Sequence, residues 1–310
     1  MESVDCLLGH KEGSELAFTG TDRLGARRDT FQLMRCSRCG LLFVSPRPSP
    51  EEMMQYYPFD EYEPYYRAID EKPTLERLHR SHIQRQRCRF VERAKRQGRV
   101  LDVGCATGNF LAQLQERGHW QTFGVEINQA AARYAQEHFR LSVFAGQLAD
   151  AGYPSGHFDL VTMWSVLEHL HNPLESLVEV RRILRPDGVL AFTIPNGDSL
   201  DAQLFGPHWG LLDPPRHLYT FTRPALEELL SRTGFRIRAV RSFAAGYLSL
   251  WRSIRAWLES QESQSGAAFR HLLCSLIPSK PFRVLSLPYV WSASQLGRGA
   301  TISVLAEPAR

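Results

Sequence analysis

The chain has 310 residues, 43% hydrophobic and 23% charged, with a formal net charge of +4, ordinary values for a soluble globular protein of one large domain or two. Six cysteines in this length do not make a disulfide scaffold. The opening Met1-Glu2-Ser3-Val4-Asp5 lacks the basic-then-apolar signature of a signal peptide, and no apolar run reaches about 18 residues, so a cytoplasmic setting is expected.

Residues 1–58 lack helical periodicity and carry Cys6-Leu7-Leu8-Gly9-His10 and Cys36-Ser37-Arg38-Cys39-Gly40. Cys-x-x-Cys-Gly offers two thiolates from one turn, and a second such turn completes a tetrahedral zinc site. Gly9 stands where a fourth cysteine is expected, so the candidate ligand set is Cys6, His10, Cys36 and Cys39; the alternative is a metal-free ribbon held by β pairing. Next come Tyr56, Tyr57, Phe59, Tyr62, Tyr65 and Tyr66, suited to an interdomain seam or a pocket lip. Residues 73–97 read as a helix, with Leu75, Leu78, Ile83, Phe90, Val91 and Ala94 on one face. The other face carries Arg77, Arg80, Arg85, Arg87, Arg89, Arg93, Lys95 and Arg96. Such a basic face can meet RNA or a membrane surface. No RRM, KH or helix-turn-helix signature accompanies it, and a solvated face is the plainer reading.

From residue 99 strand and helix alternate. Strands are expected at 100–103, 122–126, 141–144, 159–164, 189–194, 235–240 and 301–306, with helices at 109–117, 129–138 and 224–233 and one holding Leu174, Leu177, Val178 and Val180; Arg185-Pro186-Asp187-Gly188 reads as a turn. Strands this apolar are buried on both faces, which requires a parallel sheet between helices, with a ligand at the carboxyl ends. Residues 244–298 insert Leu248, Leu250, Trp251, Ile254, Trp257 and Leu258 at helical spacing, followed by Pro278, Pro281, Pro288 and Trp291. This insertion is read as a substrate cover or oligomer contact, with a membrane-surface helix as the rival.

The first strand ends in Asp102-Val103-Gly104-Cys105-Ala106-Thr107-Gly108-Asn109, small residues through which a ligand can approach backbone. The spacing lacks the third glycine of a dinucleotide fingerprint. It resembles motif I of the class I S-adenosylmethionine (SAM) methyltransferases. Glu126, closing the second strand, stands where such folds place a carboxylate for ribose hydroxyls. The resemblance extends through Trp164-Ser165-Val166-Leu167-Glu168-His169-Leu170, Asn172-Pro173, Leu184-Arg185-Pro186-Asp187-Gly188 and Ile194-Pro195-Asn196, which look like the ubiquinone-biosynthesis-type branch. Trp209, Pro214-Pro215-Arg216-His217-Leu218-Tyr219 and Thr233-Gly234-Phe235 are similar to members acting on small, glycosyl or polyketide-like molecules. The N-terminal segment, with Phe43-Val44-Ser45-Pro46-Arg47-Pro48 behind its cysteines, resembles the zinc-ribbon-like module ahead of many such enzymes.

The resemblance implies a Rossmann-like α/β fold, a seven-stranded mostly parallel sheet with an antiparallel last strand. It divides the chain into a zinc-ribbon-like module (1–58), an aromatic linker and basic helix (59–98) and a SAM-binding domain (99–310). Asp102, Gly104, Ala106 and Gly108 would line the methionine end of SAM, with Cys105 and Asn109 in the same bend. Glu126 would take the ribose hydroxyls, Ile127 would pack on the adenine, Gln147 and Leu148 would lie beside it, and Trp164 and Ser165 near the sulfonium. The implied activity is methyl transfer to a small-molecule acceptor, on oxygen by this reading. His169 and His217 are the candidate bases, since histidine is best tuned at neutral pH. Asn196, Trp209 and Tyr219 are candidate acceptor contacts. Some relatives hold a divalent cation through an acid three residues before the Glu-His pair; Ser165 takes that place, which argues against a catalytic metal. The competing functions are a SAM-binding protein without catalysis and an RNA-modifying enzyme using the basic helix.

Overall fold

The computed structural model describes residues 1–11, 13–23, 29–57, 75–242, 246–261 and 280–309. In chain order, β1 (Ser14–Thr21), β2 (Thr30–Cys36) and β3 (Leu42–Val44) precede the short α1 (Pro50–Met53) and the long α2 (Leu75–Glu92). Then come β4 (Gly98–Val103), α3 (Asn109–Gln115), β5 (Trp120–Glu126), α4 (Gln129–Phe139), β6 (Ser142–Ala145), β7 (Phe158–Trp164), α5 (Pro173–Ile183) and β8 (Leu184–Pro195). The chain continues through α6 (Leu200–Phe205), β9 (Tyr219–Thr220), α7 (Arg223–Arg232), β10 (Phe235–Arg241), α8 (Gly246–Glu259), α9 (Lys280–Gln295) and β11 (Thr301–Pro308). Phe59, Tyr62, Tyr65, Tyr66 and the stretch 262–279 lie outside the described residues.

These elements form two compact units: 1–53 with 194–226 and 240–303, and 54–193 with 227–239 and 304–310. The second is built on a seven-stranded sheet of order β10-β11-β8-β7-β4-β5-β6, the closing strand inserted antiparallel. β4 pairs in parallel with β5 and β7, β5 with β6, and β7 with β8. The strand runs are apolar because both faces are covered. Val100, Leu101, Leu111, Phe158, Leu160, Met163, Leu190 and Phe192 are all buried. The parallel register puts Asp102 opposite Thr162 and Val103 opposite Val125, so β4, β5 and β7 end together.

Several expectations needed correction. The stretch 185–188 is a bulge inside β8, because Phe158 pairs with Leu184 but Leu160 with Val189. The helix expected to hold Leu174, Leu177, Val178 and Val180 is α5, with Leu177, Val180 and Ile183 on its buried face and Val178 56% exposed. The basic helix ends at Glu92 rather than 97.

The larger correction concerns the N-terminal module. The described residues of 1–58 do not close on themselves: the first unit's sheet has the order β1-β2-β3-β9, and its last strand comes from Tyr219–Thr220. Leu42 pairs with Thr220 and Phe43 with Tyr219, and Thr222 Oγ1 donates to the Cys39 carbonyl at 2.7 Å. A three-stranded ribbon would leave β3 an open edge, which the later strand covers. Around it Leu8, Phe31, Leu33, Leu41, Phe43, Trp209 and Phe221 are buried. In the insertion, Leu250 and Leu258 are buried, whereas Leu248, Trp257, Val284, Leu285, Leu287 and Trp291 are exposed. Among the described residues no helix is long and apolar enough to cross a membrane.

Candidate functional site

The bend after β4 carries left-handed residues at alternate positions, Gly104 (φ 70°), Ala106 (φ 49°) and Gly108 (φ 80°). Gly104 and Gly108 are small for a reason beyond backbone conformation. A Cβ at Gly104 would stand 2.6 Å from Val166 Cγ2, and one at Gly108 2.6 Å from Leu141 Cδ1 and 2.9 Å from Ala135 Cβ. The glycines are therefore packed against the protein itself. The Gly104 and Cys105 amides donate to the Val125 carbonyl and the Gly108 amide to the Cys105 carbonyl, so the bend is held by its own backbone. Cys105 is buried with its sulfur toward Gly124, and burial pushes its thiol well up, so its side chain packs inside the protein. Asn109 begins α3 and donates from Nδ2 to Thr107 Oγ1 at 2.8 Å.

Glu126 lies at the end of β5, 3% exposed. Its Oε2 accepts the Ala106 amide at 2.8 Å and its Oε1 the Asn128 amide at 2.9 Å. The strained position of Ala106 is thus tied to the carboxylate that closes the neighbouring strand. Ile127, the next residue, is 56% exposed although apolar. Leu148 is buried in the turn after β6, while Gln147 is exposed. Ser165 is exposed with φ 57°, its amide donating to the Thr193 carbonyl at 2.9 Å. Asp102, Gly104, Cys105, Ala106, Gly108, Asn109, Glu126, Ile127, Gln147, Leu148, Trp164 and Ser165 all belong to the second unit, at or just beyond strand C-termini.

Three ionisable side chains of the second unit interact here, two buried and one half-buried. Asp102 is 3% exposed, and burial pushes its carboxyl up to about 7 against the lowering hydrogen bond from Thr162 Oγ1 at 2.6 Å. Glu168 is fully buried, neither carboxyl oxygen finds a partner among the described residues, and burial pushes it up to about 8. Arg87 is the third. It was placed on the solvated face of the basic helix and is instead half-buried, its guanidinium 5.0 Å above the Trp164 ring. Burial pulls Arg87 down to about 10 while Asp102 and Glu168 oppose that pull. Its hydrogen bond among the described residues goes to Gln84 Oε1 at 3.3 Å, and Trp164 Nε1 is buried without a partner. Sequence reasoning missed Arg87 because helical periodicity cannot see a strand residue 77 positions later. Tyr57 was also missed as a site residue: its hydroxyl lies 2.8 Å from His169 Nδ1.

In the first unit, Arg216 is 1% exposed and held between two carboxylates. Its Nη2 lies 2.6 Å from both Asp22 Oδ1 and Asp213 Oδ1, and its Nε 2.9 Å from Asp213 Oδ2. That clamp fixes the segment carrying His217, whose Nδ1 is 2.8 Å from the Leu211 carbonyl. A carbonyl only accepts, so Nδ1 carries the hydrogen and Nε2 is the ring's acceptor. Burial lowers the His217 pKa and favours that neutral form. The three acceptor-contact candidates are committed to the protein. Asn196 Nδ2 donates to the Gly299 carbonyl at 3.0 Å, its Oδ1 accepts from the Asp198 amide, Tyr219 Oη takes Arg47 Nη1 at 2.7 Å, and Trp209 is 1% exposed.

The same unit brings Cys6, His10, Cys36 and Cys39 together, all buried, with ligand atoms within 4.8 Å of one another. Cys6 Sγ lies 3.6 Å from His10 Nδ1 and 3.7 Å from Cys39 Sγ, and Cys36 Sγ lies 3.4 Å from His10 Nδ1. A tetrahedral ion with bonds of about 2.0–2.3 Å needs ligand edges of about 3.3–3.8 Å, so the set fits zinc. Gly9 (φ 66°) and Gly40 (φ 71°) close the two turns, their amides returning to the Cys6 and Cys36 carbonyls. Cys36 is brought to about 7, its rise from burial outweighed by the Cys39 amide and the His10 ring, while burial pushes Cys39 up to about 12. Without a dication, three neighbouring thiolates would be strongly unfavourable.

Residues 76–240 match a family model described as a methyltransferase domain. The chain is 29% identical over 216 residues to a malonyl-acyl-carrier protein O-methyltransferase of Enterobacter lignolyticus, covering 65% of this chain and 78% of that protein. It is 30% identical over 145 residues to a ubiquinone biosynthesis O-methyltransferase of Methylococcus capsulatus, covering 43% and 60%. It is 28% identical over 142 residues (44% of this chain) to a protein named as a probable S-adenosylmethionine-dependent methyltransferase of Mycolicibacterium smegmatis, and spans about half of that relative, 52%. Among solved structures, the cyclase SpnF superimposes with a TM-score of 0.55 at 17% identity, covering 85% of this chain and 98% of that one.

Proposed function

The chain belongs to the methyltransferase-domain family, and from that premise we propose that it transfers a methyl group from SAM to an oxygen of a small-molecule acceptor of quinone, polyketide or glycosyl type. The observation that carries this reading is the Glu126 carboxylate, oriented by the Ala106 and Asn128 amides beside a left-handed bend. A ribose diol brings donors to such a carboxylate, and the exposed Ile127 offers an apolar face for a base. Burial raises Asp102 to about 7 and Glu168 to about 8, and a cationic sulfonium nucleoside bound beside them would favour their charged forms. The Arg87 guanidinium is the natural counter-ion for the nucleoside's carboxylate.

SAM supplies an activated methyl group, so the protein's own contribution is alignment, a dry site and removal of the acceptor's proton. His169 and His217 are the proposed bases, and Nε2 of His217 already holds the lone pair that role requires. Relatives named for malonyl-carrier and ubiquinone substrates support an oxygen acceptor.

A second reading, SAM binding without methyl transfer, is favoured by the likeness to a cyclase, since one fold hosts unrelated chemistries. Calorimetry with SAM and NAD, followed by incubation with methyl-labelled SAM and a metabolite extract, tests both. The proposal expects SAM binding, weakened about 10–100-fold in Glu126→Gln, and label in a product. NAD binding alone overturns the site, and SAM binding with no label in any product overturns the transfer.

A further inference from the structure

We propose that Tyr57 is the positioning residue for His169, setting which ring nitrogen carries the hydrogen and which is offered to the acceptor; this rests on His169 being a base. Tyr57 Oη and His169 Nδ1 stand 2.8 Å apart, a full hydrogen bond. The rings meet edge to face, centroids 6.1 Å apart at 69°, so the imidazole plane is held as well as one of its nitrogens. Each partner stands at the end of a short turn closed by its own backbone. The Tyr57 amide donates to the Met54 carbonyl at 3.2 Å and the His169 amide to the Val166 carbonyl at 2.9 Å. The contact joins residues 112 positions apart, so no local motif announces it.

A free imidazole exchanges tautomers, and only one presents a lone pair at Nε2. A phenol hydroxyl can donate or accept, and we assign it the acceptor role: with Nδ1–H donating to the phenol oxygen, Nε2 remains the acceptor. The acceptor molecule's O–H bond then breaks as an Nε2–H bond forms, its electron pair staying on the oxygen that takes the methyl group. The imidazolium keeps its Nδ1–H bond to Tyr57 and later releases the Nε2 proton to water. The tyrosine gains and loses no proton; it selects the ring state that reacts.

Tyr57→Phe retains the ring and removes only the oxygen. Histidine-labelled 15N spectra of the full chain, with His169→Ala to assign the signal, should show the Nδ1–H tautomer in the wild type and a tautomer mixture in Tyr57→Phe. An Nε2–H ring in the wild type, or the same tautomer in both proteins, overturns the assignment, and the first of these needs no variant to fold. Release of labelled product from a metabolite extract should fall about tenfold in Tyr57→Phe, with no further loss when it is added to His169→Ala. Normal turnover in His169→Ala removes the base on which the inference rests. A loss there with full turnover in Tyr57→Phe removes the positioning role alone.

Discussion

At position 104 a methyl group would meet Val166 Cγ2 at 2.6 Å on a backbone already at φ 70°. Gly104→Ala should therefore cost about 1–3 kcal/mol of stability and distort the bend, with SAM affinity falling in parallel; unfolding midpoints and calorimetry measure both. Glu168 offers a prediction of sign. Its folded pKa, about 8, lies above the model-peptide value of 4.5, so between those pH values the folded chain holds a proton that the unfolded chain has released. Stability from this group is thus present at low pH and lost as pH rises toward 8. Asp102, raised to about 7, adds to the same slope. Glu168→Gln removes the ionisation while keeping the shape, so in ligand-free protein its stability relative to wild type should increase from pH 5 to pH 9. A constant or shrinking difference in thermal midpoint would contradict the assignment. The carboxyls at 102 and 126 were singled out by the resemblance to motif I, but the burial of Glu168 and the inward turn of Arg87 were not legible. Both depend on neighbours far away in sequence.

Among the elements, α4 shows how small residues place a helix. Ala131, Ala132 and Ala135 are its buried residues, and Ala135 approaches the bend closely enough to forbid a side chain at Gly108. The helix starts on Asn128, whose side chain accepts the Ala131 amide at 3.0 Å, and ends on Arg140 in the left-handed conformation (φ 54°, ψ 37°). Glycine is the usual residue there, and Arg140 is exposed. Arg140→Gly should raise stability by roughly 0.5–1 kcal/mol, read as a shift in the denaturation midpoint with SAM affinity unchanged. The strands of this unit were legible because doubly covered strands read as uninterrupted apolar runs. The bulge at 185–188 was not, since Pro-Asp-Gly has turn chemistry whether it ends a strand or interrupts one.

For the whole molecule, the buried thiols and His10 tie the first 40 residues into a sheet that residues 219–220 complete. A structural zinc there would stabilise more than the N-terminal turns, because Cys39 also carries the Thr222 hydrogen bond. The expected outcome is one tightly bound zinc per chain by elemental analysis, lost in Cys36→Ser, with a lower unfolding temperature after chelation. Zinc-free protein of unchanged stability would favour the metal-free ribbon. Excising residues 1–53 as a separable module would uncover Tyr219 and Phe221, now 3% and 1% exposed.

The order of residues alone determined the α/β alternation, the bend after the first parallel strand, the acid closing the second and the Cys-rich turns whose side chains cluster. Those features rest on periodicity and on short spacings, which act through neighbouring residues. Tertiary structure alone decided that β9 closes the N-terminal sheet, that Arg87 turns inward over Trp164, that Asn196 and Tyr219 spend their polar groups on the protein, and that Tyr57 meets His169. Each of those depends on a hydrogen bond, ring contact or strand pairing between distant segments, and no local pattern records which distant partner a side chain will find.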